Sequence, residues 1–167
     1  MKIKVVGIDP GLADTGIGVV EGSHLTVDNY AYGTIKTSQK DDQSLRLEKI
    51  YTRLSDLFVD EHPDLIVIED VFSLDKYPKS GIVLGKVCGA ILLASRKTES
   101  NVKEVAVREA KQVLTGNGNA TKEQLEKAVR QTLGCSQPIR PFHASDALGL
   151  ALIGLFRYGS GIRRIER

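Results

Sequence analysis

The sequence predicts one α/β domain built on a mixed five-stranded sheet. Short apolar runs rich in β-branched residues come first, in residues 3–36, and helices then alternate with strands through the rest of the chain. This order is typical of a sheet that begins with antiparallel strands and adds parallel strands after a helical crossover. A length of 167 residues fits one domain whose core is large enough to fold without disulfides or structural metal.

The first three predicted strands form an antiparallel meander. Residues 3–8 are an apolar run too short for a helix, which favours a strand buried on both faces, and Asp9 ends it. An Asp-Pro-Gly turn follows, Asp14 and Thr15 supply polar turn residues, and residues 15–20 resume a small, β-rich pattern. Residues 25–30 and 32–36 alternate loosely, with predicted interruptions at Asn29 and Gly33, and complete the meander. On this stretch alone, Asp9 fits a turn residue and a site residue equally well.

An amphipathic helix and a fourth strand come next. Apolar side chains recur at helical spacing from Ser44 to Phe58, which predicts a helix with one buried face. Residues 65–68 are a second short apolar run, and Glu69 closes it. The arrangement of the first strand, a buried strand followed by a carboxylate, is therefore repeated.

A long helix is predicted from about residue 80 to residue 97, and it carries glycine every fourth residue. Gly81, Gly85 and Gly89 fall on one face of this helix. Each glycine disfavours a helix interior by about 1 kcal/mol relative to alanine, so a packing gain should offset the cost. We expect another helix to approach this face, either within the fold or across a dimer.

The remaining elements follow from periodicity and capping signals. Residues 102–107 are typical of a strand and residues 108–114 of a short helix. Thr121 and Gln124 have the spacing of a capping box, which predicts that a helix begins there. An Ala/Leu-rich final helix is predicted over residues 144–158.

Composition places the chain among soluble proteins. We predict a single domain over residues 1–158 and a basic tail at residues 159–167. The net charge of +2 neither requires nor excludes a nucleic-acid partner. The first strand begins within three residues of the N-terminus, so we expect no signal peptide, and residues 81–95 are too short an apolar segment to span a membrane. We therefore expect no membrane partner. Two cysteines without metal or redox spacing, in a chain for which no export signal is expected, indicate a reducing cytoplasm.

Four polar side chains would meet at one edge of the sheet if the last helix crosses that edge. Asp9 and Glu69 end strands that we expect to be parallel neighbours, and His143 and Asp146 share a face at the start of the last helix. An oxygen-rich set of this kind suits Mg²⁺ or Mn²⁺, and pairs of such ions hydrolyse phosphodiesters. Purely structural roles are also open at this point: Glu69 as a salt-bridge partner, His143 as a polar residue at a helix start, and Asp146 as a complement to the helix dipole.

The chain resembles the RuvC family of Holliday-junction resolvases in four sequence blocks. GIDPG alone is a weak signal, because actin-like kinases and other RNase H-like proteins have similar openings. The four blocks together, in order over nearly the whole chain, are specific. They are GIDPG at 7–11 followed by TGIGVV, IEDVF at 68–72, VREAKQVLTGNGNATKEQ at 107–124 and HASDALGLALIG at 143–154.

The resemblance implies an RNase H-like nuclease fold, a symmetric homodimer and paired, Mg²⁺-dependent nicking of four-way DNA junctions in recombination and repair. It implies that Asp9, Glu69, His143 and Asp146 are the catalytic and metal-binding set, with two ions per site and Mn²⁺ as an alternative to Mg²⁺. Some family members have aspartate in place of His143, so this residue is expected to be a ligand or a general base. A branch-migration motor complex is a further implied partner.

The resemblance also implies residues that contact DNA. Phe72 matches a family aromatic that acts on bases at the junction centre, and Lys111 and Lys122 match basic positions flanking the GNGN loop. Further candidates for phosphate contact are Lys76, Lys79 and Arg108. Gly81, Gly85 and Gly89 lie in the segment that pairs the family's subunits. Without the resemblance, Phe72 fits a core residue and the lysines fit solvated surface.

Three other functions compete with this interpretation. An RNase H-like nuclease acting on RNA shares the opening motif, and comparing junction, duplex and RNA cleavage separates the two. An ATP-using protein of the actin-like group needs a second domain that 167 residues do not provide. A non-catalytic junction-binding protein is disfavoured because crowded carboxylates without a cation cost stability.

Overall fold

The computed structural model describes residues 1–70 and 78–161. Its sheet has the strand order β3-β2-β1-β4-β5, with β1 at the centre. The strands are β1 (Ile3–Asp9), β2 (Asp14–Ser23), β3 (Thr26–Lys36), β4 (Leu65–Glu69) and β5 (Asn101–Val105). β1 is antiparallel to β2 and parallel to β4, β2 is antiparallel to β3, and β4 is parallel to β5. The predicted mixed five-stranded sheet is confirmed.

β3 is longer than the sequence pattern indicated. The predicted interruptions at Asn29 and Gly33 do not occur, because the backbone of Asn29 pairs with Glu21 and that of Gly33 with Ile17. Only a register shift after Glu21 disturbs the ladder. Pairing along the whole length of β2 therefore outweighs the poor strand propensity of these two residues.

Five α-helices cover the two faces of the sheet in the residues described. They are α1 (Gln43–Glu61), α2 (Pro78–Ser95), α3 (Val107–Thr115), α4 (Lys122–Thr132) and α5 (Phe142–Ile153). Alternate residues of β1 serve the two layers: Val6 and Ile8 pack with α1 and α2, whereas Val5 packs with α4 and α5. α5 is apolar all round and buried from Ala144 to Ile153, which makes it the centre of the second layer.

Helix boundaries differ from prediction mainly at the end of α5. The α-helix stops at Ile153 and continues as one π-helical turn, Gly154–Tyr158, so the predicted helix end at residue 158 is wrong in type rather than in extent. A Cβ at Gly154 would lie 2.7 Å from the side chains of Val5 and Val67, so this turn lies directly on the sheet.

The predicted capping box at the start of α4 is confirmed. The amide N of Gln124 donates to Thr121 Oγ1 over 3.2 Å, and the Thr121 amide donates to Gln124 Oε1 over 2.8 Å. Two amides that would otherwise be unpaired at the helix start are thereby satisfied.

Glycines in β1 and β2 allow α5 to lie against the backbone of the sheet. A Cβ at Gly16 would come well under 3.0 Å from the carbonyl oxygen of His143, and one at Gly7 would do the same to Ala147. At Gly18 the same obstruction comes from the backbone of Leu148. The start of α5 is therefore held close to the end of β1, where Asp9 stands.

Candidate active site

Asp9 and Glu69 leave the sheet side by side. β1 and β4 are parallel with Ile8 opposite Ile68, so the next residue of each strand projects from the same edge. Asp9 is only 6% exposed, and Glu69 is half-buried. The sequence-based expectation that these two carboxylates share one edge agrees with this register.

The side chain of His143 is hydrogen-bonded to that of Asp9. Its Nδ1 lies 2.6 Å from Asp9 Oδ2. Because a carboxylate oxygen only accepts, Nδ1 carries the proton and donates it to Asp9, which leaves Nε2 as the ring acceptor in the neutral imidazole. This hydrogen bond raises the pKa of His143, and the charges of Asp9 and, more weakly, Asp14 act in the same direction.

The carboxyl groups of Glu69 and Asp146 both have raised pKa values. Burial, a hydrogen bond with Asp9 and the charges of Asp9 and Asp146 raise the pKa of Glu69 to about 8. Burial and the charge of Asp9 raise the pKa of Asp146 to about 6. The negative charge of Asp9 therefore lies close enough to Glu69 and Asp146 to oppose the ionisation of both.

Lysines from α3 and α4 reach the same cluster. Lys122 Nζ lies 3.8 Å from Asp146 Oδ2, and the positive charges of Lys122 and Lys111 both lower the pKa of Asp146. Lys122 follows the Thr121 N-cap directly, so the capping box fixes where its backbone begins. Both lysines that flank the GNGN loop thus act electrostatically on the acidic cluster.

The donor set fits a divalent cation. Asp146 is 6% exposed, and its Oδ1 is buried without a hydrogen-bond partner in the described part of the chain, so an acceptor is left for an ion to satisfy. Within residues 1–70 and 78–161, however, no three His, Cys, Asp or Glu side chains already stand where they could jointly hold an ion. Asp9 and His143 are instead bonded to each other.

The remaining predicted DNA contacts are dispersed. Lys79 is exposed at the start of α2. Arg108 packs beside the GNGN loop, where a Cβ at Gly118 would lie 3.0 Å from its Cγ. Phe72 and Lys76 fall outside the described residues.

Sequence reasoning missed Asp14, which it treated as a turn residue. Its charge contributes to the raised pKa of His143, and its Oδ1 is buried without a hydrogen-bond partner among the described residues. The signal in the sequence that could have identified Asp14 is its position directly after the turn that follows Asp9.

The glycine face of α2 is open. Around Cβ positions built on Gly85 and Gly89, no heavy atom of the described residues lies within 4 Å, apart from the adjacent residues and nearby backbone of the same helix, and Gly81 is half-buried. Ile82 and Leu93 are exposed on the same helix, at 63% and 65%. The expected approach of another helix to Gly85 and Gly89 thus has no partner in the part of the fold that is described.

A groove of about 890 Å³ runs beside this face, between α1, α2 and β5. Its apolar lining includes Leu47, Ala90 and Val102.

Of the helices in residues 1–70 and 78–161, none combines the length and apolarity needed to cross a membrane.

Comparison with known proteins identifies relatives over the whole length of this fold. The sequence profile of the family described as "Crossover junction endodeoxyribonuclease RuvC" matches residues 5–154. The enzyme of that name from Prosthecochloris aestuarii is 35% identical, and the match covers 98% of this chain and 91% of the relative.

Solved structures show the same likeness. T. thermophilus RuvC in complex with a Holliday junction substrate superposes with a TM-score of 0.88 at 30% identity, covering 95% of this chain and 96% of that one. The yeast mitochondrial Holliday junction resolvase Ydc2 shares the fold, with a TM-score of 0.62 at 12% identity over 93% of this chain and 78% of its own. The fold is therefore the RNase H-like fold of junction resolvases.

Proposed function

The chain belongs to the RuvC family of crossover junction endodeoxyribonucleases, and we propose that it resolves four-way DNA junctions by paired, symmetric nicking. The observation that carries this proposal is the cluster of Asp9, Glu69, His143 and Asp146 at one sheet edge, with Lys122 beside it. Carboxyl groups whose pKa values are raised by burial and by neighbouring carboxylates are typical of sites that bind cations and hydrolyse phosphodiesters.

We infer that this site binds Mg²⁺, with Mn²⁺ as an alternative. Two ions are proposed for each site. Asp9, Glu69 and Asp146 would supply the oxygen ligands, and His143 is a ligand or a neighbouring base. When bound, such ions activate water and neutralise charge on the phosphate. The unpartnered Oδ1 of Asp146 and the crowding of the carboxyl groups support this assignment.

The side chains themselves divide into proton-handling and charge-balancing groups. With Nδ1 donating to Asp9, Nε2 of His143 is the atom that can take a proton from water. Lys122 favours ionised Asp146 and presents a positive charge where negative charge builds up on the phosphate. The Asp9–His143 hydrogen bond keeps the imidazole ring oriented.

Junction DNA is the proposed partner, bound mainly through its phosphates. Lys79, Arg108 and Lys111 are proposed phosphate contacts, together with Lys122. Phe72 and Lys76 remain proposals based on the sequence alone, with Phe72 stacking on a base at the junction centre.

A homodimer is proposed to present two such sites to one junction. Its interface would be the open face of α2, where Gly85 and Gly89 allow close approach and where Ile82 and Leu93 are exposed. Gly81 continues the same face. A cytoplasmic location and contact with a branch-migration motor complex belong to this proposal as well.

The test is cleavage of a labelled synthetic four-way junction by the purified protein, with Mg²⁺, with Mn²⁺ and with EDTA. We expect paired nicks at symmetric positions with either ion and none in EDTA. A linear duplex and a structured RNA serve as parallel substrates. Preferential cleavage of the RNA, or junction binding without metal-dependent nicking, would contradict the proposal.

A further inference from the structure

The turn that follows Asp9 is held by three hydrogen bonds outside the acidic cluster, two from side chains and one from the backbone. Three successive carbonyl oxygens in this turn each accept one hydrogen bond. Thr15 Oγ1 donates to the Gly11 carbonyl over 2.7 Å, Thr37 Oγ1 to that of Leu12 over 2.5 Å, and the Thr37 backbone amide to that of Ala13 over 3.0 Å. Thr37 therefore joins the end of β3 to two consecutive residues of the turn.

Arg46 fixes the direction in which the Thr37 hydroxyl donates. Its Nε donates to Thr37 Oγ1 over 2.8 Å. A hydroxyl has one hydrogen to give, and because Arg46 occupies an acceptor site on the oxygen, that hydrogen is directed to the Leu12 carbonyl. The chain of bonds thus runs from α1 through β3 to the turn.

Arg46 has no competing ion pair that would account for its position. It is half-buried, and no carboxylate lies within 4.0 Å of it among residues 1–70 and 78–161. The hydrogen bond from its Nε to Thr37 is the side-chain contact by which α1 holds the turn.

We propose that Thr37 and Arg46 are positioning residues that hold the turn behind Asp9 and so fix where the Asp9 carboxylate points. This inference rests on the proposed role of Asp9 in cation binding. The turn begins one residue after Asp9, and freeing the Leu12 carbonyl from the Thr37 hydroxyl would let that end of the strand move. Small displacements of a positioned group cost large factors in rate.

The test compares Thr37→Val, which keeps the shape and removes the hydroxyl, with Thr37→Ser, which restores it. Arg46→Met removes the donor and keeps an unbranched stem. Thr52→Val and Arg53→Met are matched controls, because both residues are exposed on α1. For each protein we would measure the single-turnover nicking rate at saturating protein, junction affinity in EDTA, Mn²⁺ affinity by electron paramagnetic resonance, and Tm.

We expect Thr37→Val to lower the single-turnover rate about 10- to 100-fold and Mn²⁺ affinity at least about 3-fold, with junction affinity within about 2-fold of the parent. Thr37→Ser should recover most of both losses. Arg46→Met should show a smaller loss, and the double variant should be no worse than Thr37→Val, because both act through one hydroxyl. The two controls should match the parent.

Three results would overturn the positioning role. The first is an unchanged rate and Mn²⁺ affinity in Thr37→Val. The second is a loss of nicking rate and Mn²⁺ affinity in Thr37→Val and Arg46→Met that is accompanied by a fall in Tm and is not recovered in Thr37→Ser. The third is an Arg46→Met protein that binds junctions more than about 10-fold less tightly but nicks at the parental rate when saturated, which would make Arg46 a phosphate contact. Asp9→Asn measured in parallel distinguishes failure of the positioning role from failure of the proposed role of Asp9. Normal nicking by Asp9→Asn would overturn both.

Discussion

Nδ1 of His143 lies 2.6 Å from Oδ2 of Asp9, although 134 positions separate the two residues in the chain. The contact joins the first strand to the last α-helix. It exists because Gly16 leaves room for the backbone of His143 directly above the sheet. The geometry of the candidate site is therefore set by how closely α5 approaches β1 and β2.

Asp9→Asn should abolish nicking while junction binding persists. Loss of a carboxylate from the proposed ion site should lower the rate by at least about 100-fold. It should also lower the pKa of His143, because the hydrogen bond with Asp9 is the main cause of its increase. Gel shifts in EDTA, strand cleavage and NMR titration of the imidazole check the three effects, with Asp60→Asn on the exposed side of α1 as a control. Normal cleavage by Asp9→Asn would rule out the proposed role.

Glu69→Gln should stabilise the metal-free protein at alkaline pH. The pKa of Glu69 is about 8 in the folded chain against 4.5 for an ordinary glutamate, so folding takes up a proton between these values. The free energy of unfolding of the parent therefore falls as pH rises through this window, and glutamine removes the fall. We expect the variant to melt roughly 3 to 6 °C higher at pH 8, equivalent to about 1 to 2 kcal/mol, and equally with the parent below about pH 4.5. Thermal melts in EDTA measure this.

The exposed Glu48 offers the matched control for that experiment. Glu48→Gln should follow the parent at every pH. A Glu69→Gln curve parallel to the parent from about pH 4 to pH 9 would show that Glu69 is not a strongly perturbed group.

Lys122→Met should slow cleavage and shift its pH dependence. Removing the charge 3.8 Å from Asp146 lets the pKa of that carboxyl rise further, so a higher pH is needed to ionise it for a cation. We expect a roughly 10- to 100-fold lower rate at pH 7, about 1.4 to 2.7 kcal/mol in the barrier, partly recovered at pH 9. Rate–pH profiles test this. Lys127→Met, exposed on the same helix, should behave as the parent. A uniform rate loss at every pH would contradict the coupling to Asp146.

Gly16→Ala should force α5 away from the sheet. The new methyl group would meet the carbonyl of His143 at an impossible distance, and such overpacking costs about 1 to 3 kcal/mol. We expect Tm to fall by several degrees and nicking to fall more than stability explains, because His143 and Asp146 move together. Gly33→Ala is the control, since no heavy atom of the described chain lies within 4 Å of its Cβ position. A fully active Gly16→Ala protein would show that this spacing is not critical.

Leu93→Glu should prevent dimer formation if the open face of α2 is the subunit interface. Leu93 is 65% exposed on α2, and a buried carboxylate without a partner would disfavour association. Sedimentation of the variant should show a monomer at concentrations where the parent is a dimer. Leu25→Glu, at a site 75% exposed between β2 and β3, controls for added charge. A dimeric Leu93→Glu protein would move the interface elsewhere.

Sequence patterns could indicate where the four proposed site residues lie because those positions depend on local rules. Asp9 and Glu69 end buried strands joined by a helical crossover, which places them at one edge. His143 and Asp146 are three residues apart on a helix and therefore share a face. These rules require only the order and type of the elements.

Contacts that depend on how elements pack were not predictable in this way. The Asp9–His143 hydrogen bond requires α5 to lie against backbone at Gly16, which periodicity does not reveal. The Thr37–Arg46 bond arises from the packing of α1, and the influence of Asp14 on His143 from the path of the turn. The family resemblance supplied the two lysines that flank the GNGN loop, which would otherwise be ordinary surface residues.

All four members of the proposed catalytic set belong to one chain, so in the proposed dimer each protomer carries a full set of its own. What a second copy adds in the proposed dimer is that both strands can be nicked while the DNA stays bound to the same complex. If the proposed dimer makes both nicks, the DNA must stay bound after the first nick until the second follows. The residence time of the complex relative to the interval between the two cuts then decides whether the products are two intact duplexes or one nicked, still-branched molecule.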